Sequence, residues 1–318
     1  MSRTSASEPP LDLSTCDNPQ GWPVPPLPSA VWQRLPAHKD GLEAAAASYY
    51  GNRNLLPVAG VQGAIRMLPH LFPAAMVAAI GPLEDRHAKA WQSAGHRLRI
   101  LHNATLTRAV AAATPFVLFA NPNPVTAGQQ ARVAAVDAAK QLKMRGGWLI
   151  VDESLADPLP ELSVATLAGS AEAPNLIVLR SLDAFFGLAG MPAAFVLAAP
   201  DLLARLAALL DPWPLAGPGH AVARLALADT DWQANARKRL AAAGQRLGAL
   251  LATCGAVTAT PLYATLTTPQ APQLHENFAR HGILTRRFEQ PDLLRCGLPG
   301  GDGDWQRHAG AVDDWNTR

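Results

Sequence analysis

The chain has 318 residues, long for one domain and comfortable for a large domain with a smaller companion. Hydrophobic residues make up 49% and charged residues 16%, enough to bury a sizeable core without the texture of a membrane protein. A formal net charge of +2 gives no strong field for nucleic acid or anionic lipid.

The polar opening, residues 1–7, has no apolar h-region, so no secretory leader is expected. No apolar run reaches the roughly 18–20 residues that cross a bilayer. Cys16, Cys254 and Cys296 stand far apart without a CxxC spacing, so neither a disulfide framework nor a zinc site is indicated. A soluble protein of the reducing cytoplasm is the expectation. Lysines are scarce: Lys39, Lys89, Lys140, Lys143 and Lys238.

Residues 1–40 are proline-rich and read as an extended arm, with a helix over 42–50 that stops at Gly51. Apolar runs then predict strands at 76–80, 116–120, 148–151, 176–179 and 194–198. Amphipathic stretches at 63–68, 86–94 and 129–143 predict helices between several of them. Continuous apolar strands alternating with helices specify a largely parallel sheet covered on both faces, placed in a large domain over 41–230. A long helix over 231–253 opens a smaller α+β domain, 231–318. Strands are expected there at 256–260, 262–267, 283–288 and 293–296, with a helix at 273–281.

Several short segments carry candidate chemistry. Asn18-Pro19 lies in the arm, where a plain Asx-type turn is an alternative. Ala59-Gly60-Val61-Gln62-Gly63 feeds a helix, whose free N-terminal amides form a natural phosphate cradle; a glycine-softened loop is the alternative. Asn121-Pro122-Asn123-Pro124 follows a strand. Trp148-Leu149-Ile150-Val151-Asp152 is a buried strand delivering a carboxylate at its C-terminal edge, where open α/β sheets place ligands. Arg180-Ser181-Leu182-Asp183-Ala184-Phe185-Phe186-Gly187-Leu188-Ala189-Gly190 follows another strand. Arg286, Arg287 and Arg295 lie on the late strands, either as anion ligands or as a solvated edge.

Taken in order, these segments resemble the class I/II aminotransferases, the fold-type I pyridoxal phosphate (PLP) superfamily. They are most similar to its branch of cobalamin-biosynthesis threonine-phosphate decarboxylases. The resemblance runs from Leu11 to about Gly300. It implies an aspartate aminotransferase-like α/β fold, PLP as cofactor, a small phosphorylated amino acid as ligand and a homodimer. Gly60, Val61 and Gln62 would hold the cofactor phosphate, Asn123 the ring hydroxyl and Asp152 the pyridinium nitrogen. Ser181 would be a further cofactor-binding position. Asn18, Arg286 or Arg287, and Arg295 would meet substrate, with Arg295 on its carboxylate.

The resemblance also implies departures. The family's Schiff-base lysine falls on Ala184, its phosphate-pairing arginine on Pro192, and its ring-stacking aromatic on Glu84. The upstream His-Gly-Gly is missing, and the loop at Asn123 is one residue short. Alanine can form no imine and shuttle no proton. Three readings follow: a threonine-phosphate decarboxylase or aminotransferase, a catalytically silent relative that binds a phosphorylated ligand or a partner, and a laboratory Lys→Ala variant. The last explains neither Pro192 nor Glu84.

Overall fold

A computed structural model of the chain describes residues 9–36, 40–102 and 104–317. Lys39 and the opening residues 1–7 lie outside the described part.

The arm carries β1 (Leu11–Asp12) and the short α1 (Ala30–Gln33), followed by α2 (Leu42–Tyr50). The sheet elements then run β2 (Leu55–Val58), α3 (Gly60–Met67), β3 (Met76–Gly81), α4 (Asp85–Ser93), β4 (Arg97–His102), α5 (Leu106–Ala111) and β5 (Phe116–Ala120). They continue through α6 (Arg132–Lys143), β6 (Trp148–Asp152), β7 (Leu176–Ser181) and β8 (Ala194–Leu197). Seven strands form one sheet in the order β2-β8-β7-β6-β5-β3-β4, parallel except for the pairings of β8.

The pleat explains why the central strands are apolar along most of their length. In β6, Leu149 and Val151 join one core cluster and Ile150 the other; in β7, Leu176 and Val178 are opposed to Ile177 and Leu179. Alternate side chains enter different layers, so both faces of these strands are apolar until their carboxyl ends, where Asp152, Arg180 and Ser181 stand. The layer containing Ile150 and Ile177 packs α3, α4 and α7 (Pro200–Ala207) through Ile65, Trp91 and Leu206. The other holds α2, α5, α6 and α8 (Gly217–Ala228).

Helix α9 (Thr230–Leu251) is capped by Asp229, which accepts from the Trp232 amide at 3.0 Å. It leads into β9 (Ala256–Ala259), β10 (Tyr263–Thr267), α10 (Ala271–Arg280), β11 (Ile283–Leu284), β12 (Arg286–Glu289), β13 (Asp292–Gly297) and α11 (Asp302–Asn316). Four of these strands form a separate antiparallel sheet, β12-β13-β10-β9.

Sequence reading misses β2, β4, α5, α7, α8 and α11. Strand β4 is polar because it closes the sheet edge, where one face meets solvent. The segment read as one strand, 283–288, is two. Ile283 and Leu284 pair in parallel with Leu11 and Asp12 of the arm, and Arg286 onward pairs with β13. The arm thus contributes an element that its prolines concealed.

Candidate functional site

The carboxyl ends of β5, β6 and β7 meet β13 and the arm around a cleft. Strand β6 delivers Asp152, which is buried. Its Oδ2 accepts from Arg86 Nη2 at 3.1 Å and lies 2.8 Å from His87 Nε2; Oδ1 accepts from the amide of Ser154 at 3.0 Å and from its hydroxyl. An ionised carboxylate only accepts, so Nε2 of His87 carries the proton. Burial alone would raise the Asp152 carboxyl, but Arg86, His87 and Ser154 together hold it well below the usual carboxylate range. Arg86 and His87 come from the first turn of α4, and Arg86 Nε also pairs with Glu84 at 2.8 Å. Behind this lies a second buried set: Arg180 pairs with Glu153 at 2.7 Å and with Asp157, and its guanidinium lies over the Tyr50 ring.

After β7 the chain turns through Asp183 and Ala184 into Phe185 and Phe186. Both rings are fully buried; Phe186 stacks on Trp232, and Phe185 meets it edge-on. Gly187 has φ of +64°, and a Cβ there would come within 2.7 Å of the Asn18 carbonyl, so glycine lets the arm cross over it. The arm is stitched down at that crossing. The Asn18 amide donates to the Ala184 carbonyl (2.8 Å), Asn18 Nδ2 to Phe185 (2.9 Å), and the Trp22 amide to Phe186 (2.8 Å). Asn18, expected on the substrate, therefore spends its side chain on backbone. The stitching brings the neighbouring Asp17 to the cleft beside Asp183 and Ala184.

The expected cofactor positions divide. Val61, Ser181 and Ala184 line the cleft, and the first-turn amides of α3 at Gly60, Val61 and Gln62 lack partners within the helix. Gly60 has φ of +75°, and Pro192 lies on it, 2.9 Å from where a Cβ would stand. The Gln62 side chain is exposed. The Ser181 hydroxyl accepts from the Asp183 amide at 3.2 Å. Asn123 donates to the Pro82 carbonyl at 3.0 Å and accepts from the amides of Val125 and Thr126, leaving one of its four hydrogen-bonding positions for any ligand. It acts as a loop clamp, since the loop folds its own amides back onto it.

At the other end, β13 carries Arg295, 8% exposed. Its Nη1 donates to the Pro124 carbonyl (2.7 Å) and Nη2 to the Ser14 carbonyl (2.8 Å), and Nε is buried without a partner. Among the described residues no carboxylate lies within ion-pairing distance of it. On the adjacent strand Arg286 lines the outer cavity. Arg287, one residue on, alternates away and pairs with Asp292 at 3.2 Å, so of the two candidates only Arg286 faces the cleft.

Two cavities adjoin here. The inner, about 250 Å³, is lined by Asp17, Val61, Glu84, Arg86, Asp183, Ala184 and Arg295, among others. The outer, about 420 Å³, shares Glu84, Arg86 and Arg295 and adds Arg286. No lysine lines either one. Burial raises the carboxyls of both Asp17 and Asp183, and Asp183 Oδ1 has no hydrogen-bond partner. Sequence reading missed Asp17, Arg86, His87 and Asp183 as site residues. For Asp17 and Asp183 the available signal was adjacency, because each lies one residue from a motif position and between two buried residues; Arg86 and His87 gave no such signal.

An open, mostly parallel sheet with an aspartate at the strand end and a separate antiparallel sheet is the architecture of PLP aminotransferases. The chain belongs to the aminotransferase class I and II family, whose model matches residues 34–301. Within it, the chain is 43% identical over 301 residues to a threonine-phosphate decarboxylase of Pseudomonas aeruginosa, covering 93% of this chain and 89% of that protein. A threonine-phosphate decarboxylase of Sinorhizobium sp. is 37% identical, at 92% and 89% coverage. In fold the chain matches the histidinol-phosphate aminotransferase of Sinorhizobium meliloti in complex with pyridoxal-5'-phosphate. That match has a TM-score of 0.84 at 20% identity, covering 96% of this chain and 90% of that one.

Membership of this family implies PLP. The residues of this cleft do not fit it. All four hydrogen bonds that Asp152 accepts come from the chain itself, one of them from a guanidinium, which leaves no lone pair facing a pyridinium. Pro192 covers Gly60, expected to be part of a phosphate cradle, and the inner cavity holds three carboxylates against two guanidiniums. A phosphate dianion is unfavourable in such a field. Ala184 offers no amine.

Proposed function

We propose that this protein is a threonine-phosphate-decarboxylase-like member of the cobalamin-biosynthesis branch that binds its phosphorylated amino acid without turning it over. Arg295 carries the reading: a buried guanidinium at the mouth of both cavities, held by two neutral carbonyls and by no carboxylate. A buried cation without a counter-charge is costly, and a ligand carboxylate supplies one through a bidentate fork. Arg286 in the adjoining cavity would receive the phosphate. Ala184, at the lysine position of the family pattern, supports a site without Schiff-base chemistry. Family membership supports a homodimer and a cytoplasmic setting. The proposed division is an arm to residue 40, a large domain to 230 and a small domain from 231.

Thermal denaturation tests this reading. A ligand at a hundred times its dissociation constant adds about 2.7 kcal/mol. For a chain of this size that raises the melting temperature by several degrees, at roughly 2–4 °C per kcal/mol or slightly less. Threonine phosphate should produce that rise, and Arg295→Ala should abolish most of it. No rise at millimolar threonine phosphate would overturn the reading. A second reading, active decarboxylation, is favoured by the 43% identity to the Pseudomonas aeruginosa enzyme. Threonine-phosphate decarboxylation by wild type with added PLP would establish it.

A further inference from the structure

The inner cavity has charges left over once its internal pairs are counted. Arg86 is committed to Glu84 and Asp152. What remains is Asp17 and Asp183 on one side and Arg295 on the other, none within ion-pairing distance of a counter-charge among the described residues. Asp183 has a buried oxygen with no partner, and Arg295, itself more than nine-tenths buried, has an Nε with none.

An anion alone would settle Arg295 and leave two acids facing each other; a cation alone would do the reverse. A zwitterion settles both. We propose that the cleft receives its ligand's amine as a free ammonium between Asp17 and Asp183, with the carboxylate on Arg295, making it a cofactor-independent receptor for an intact α-amino acid. The proposal rests on the reading above for the carboxylate end and adds the chemistry of the amine.

The two acids reach the cavity by different routes that the same hydrogen bonds enforce. Asp183 precedes the Phe185–Phe186 anchor, and Asp17 precedes Asn18, whose amide is bonded to Ala184. An ammonium carries three donors and no acceptor, so it suits a pair of partly desolvated carboxylates and gains nothing from a guanidinium. Burial already raises both carboxyls, and a bound cation relieves that cost. A lysine side chain at position 184 would have brought its own amine to these acids. With alanine there, the ligand must supply it.

Calorimetry without added PLP tests this with four probes: threonine phosphate, its deamino counterpart 3-phosphooxybutanoate, L-threonine and 3-hydroxybutanoate. The expected result is a loss of about tenfold or more in affinity when the amine is absent, the size of one charged hydrogen bond. Asp183→Asn and Asp17→Asn should each shrink that ratio severalfold. Both replacements are near-isosteric, and neither should lower the melting temperature of the free protein, so weaker binding cannot be assigned to misfolding. If deamino and amino ligands bind equally, or if both variants keep the full ratio, the inference is overturned while the phosphate reading stands. If threonine binds with the expected amine preference and threonine phosphate does not, the phosphate reading fails and the inference stands. If no probe binds, both fail.

Discussion

At the Asp152 end of the cleft each buried charge meets an opposite charge from the chain itself: Asp152 with Arg86 and His87, and Arg180 with Glu153 and Asp157. At the other end Arg295 is buried and Asp17 and Asp183 are half-buried, yet the guanidinium has only neutral carbonyls, and neither acid is ion-paired among the described residues. One end is complete without a ligand, and the other is incomplete until one arrives. Family resemblance alone assigns both ends to one active site. Charge matching separates them into a scaffold and a receptor.

The sharpest way to break this contrast is to unmatch the closed end. Arg180→Met leaves two buried carboxylates uncompensated and should cost about 3–5 kcal/mol. Denaturant titration with an unchanged slope would measure it, and a loss near zero would mean that the triad is neutral to stability.

Arg86→Met removes one of the partners of Asp152 and should cost about 1–3 kcal/mol. Its signature is in the pH dependence. The folded carboxyl sits below its unfolded value of 3.8, so its contribution is complete above that pH and fades as pH falls below it. With Arg86 gone the folded value climbs, and the acid-induced loss of stability below about pH 4 should shrink.

At the open end the sign reverses. Asp183 is raised above 3.8, so its cost appears as pH rises through the folded value and is complete above it. Asp183→Asn should therefore stabilise the free protein at neutral pH by about 0.5–1 kcal/mol. The gain should vanish in acid. Thermal melts at both pH values would show it, and destabilisation at neutral pH would contradict the open-end description.

The smallest expected effect is that of Ala184→Lys alone, which should leave threonine-phosphate decarboxylation at background because Arg86 still holds Asp152. Adding Pro192→Arg and Glu84→Tyr should help by more than the sum of the separate changes, as groups acting as a unit do. Turnover by the single revertant, assayed with added PLP, would mean that the ring end is still serviceable.

Much of this was legible in the sequence. Strands β5, β6 and β7 begin as apolar runs because both faces are covered, and Asp152 announces itself as the carboxylate ending such a run. The glycine and paired phenylalanines after Ala184 fixed its place. What stayed hidden depends on long-range pairing. Nothing local distinguishes Arg86, which meets Asp152 across 66 residues of sequence, from any basic residue in the first turn of a helix. The roles of Arg286 and Arg287 were set by strand alternation against β13, and the arm's strand by a partner some 270 residues away. Asn123 misled because its side chain turns onto the Pro82 carbonyl and the amides of Val125 and Thr126.

The stitching of the arm has a temporal consequence. Residues 11–22 leave the ribosome early, but their partners at 184–186, 282–284 and 297 are synthesised much later. Such high sequence separation delays closure, since loop entropy must be met before the contacts reward it. Asp17 can meet Asp183 once residues 184–186 are made, but Arg295 joins them only when nearly the entire chain has emerged. A nascent or C-terminally truncated chain could assemble the seven-stranded sheet and still have no place for the ligand's carboxylate, so ligand binding would report completion of synthesis.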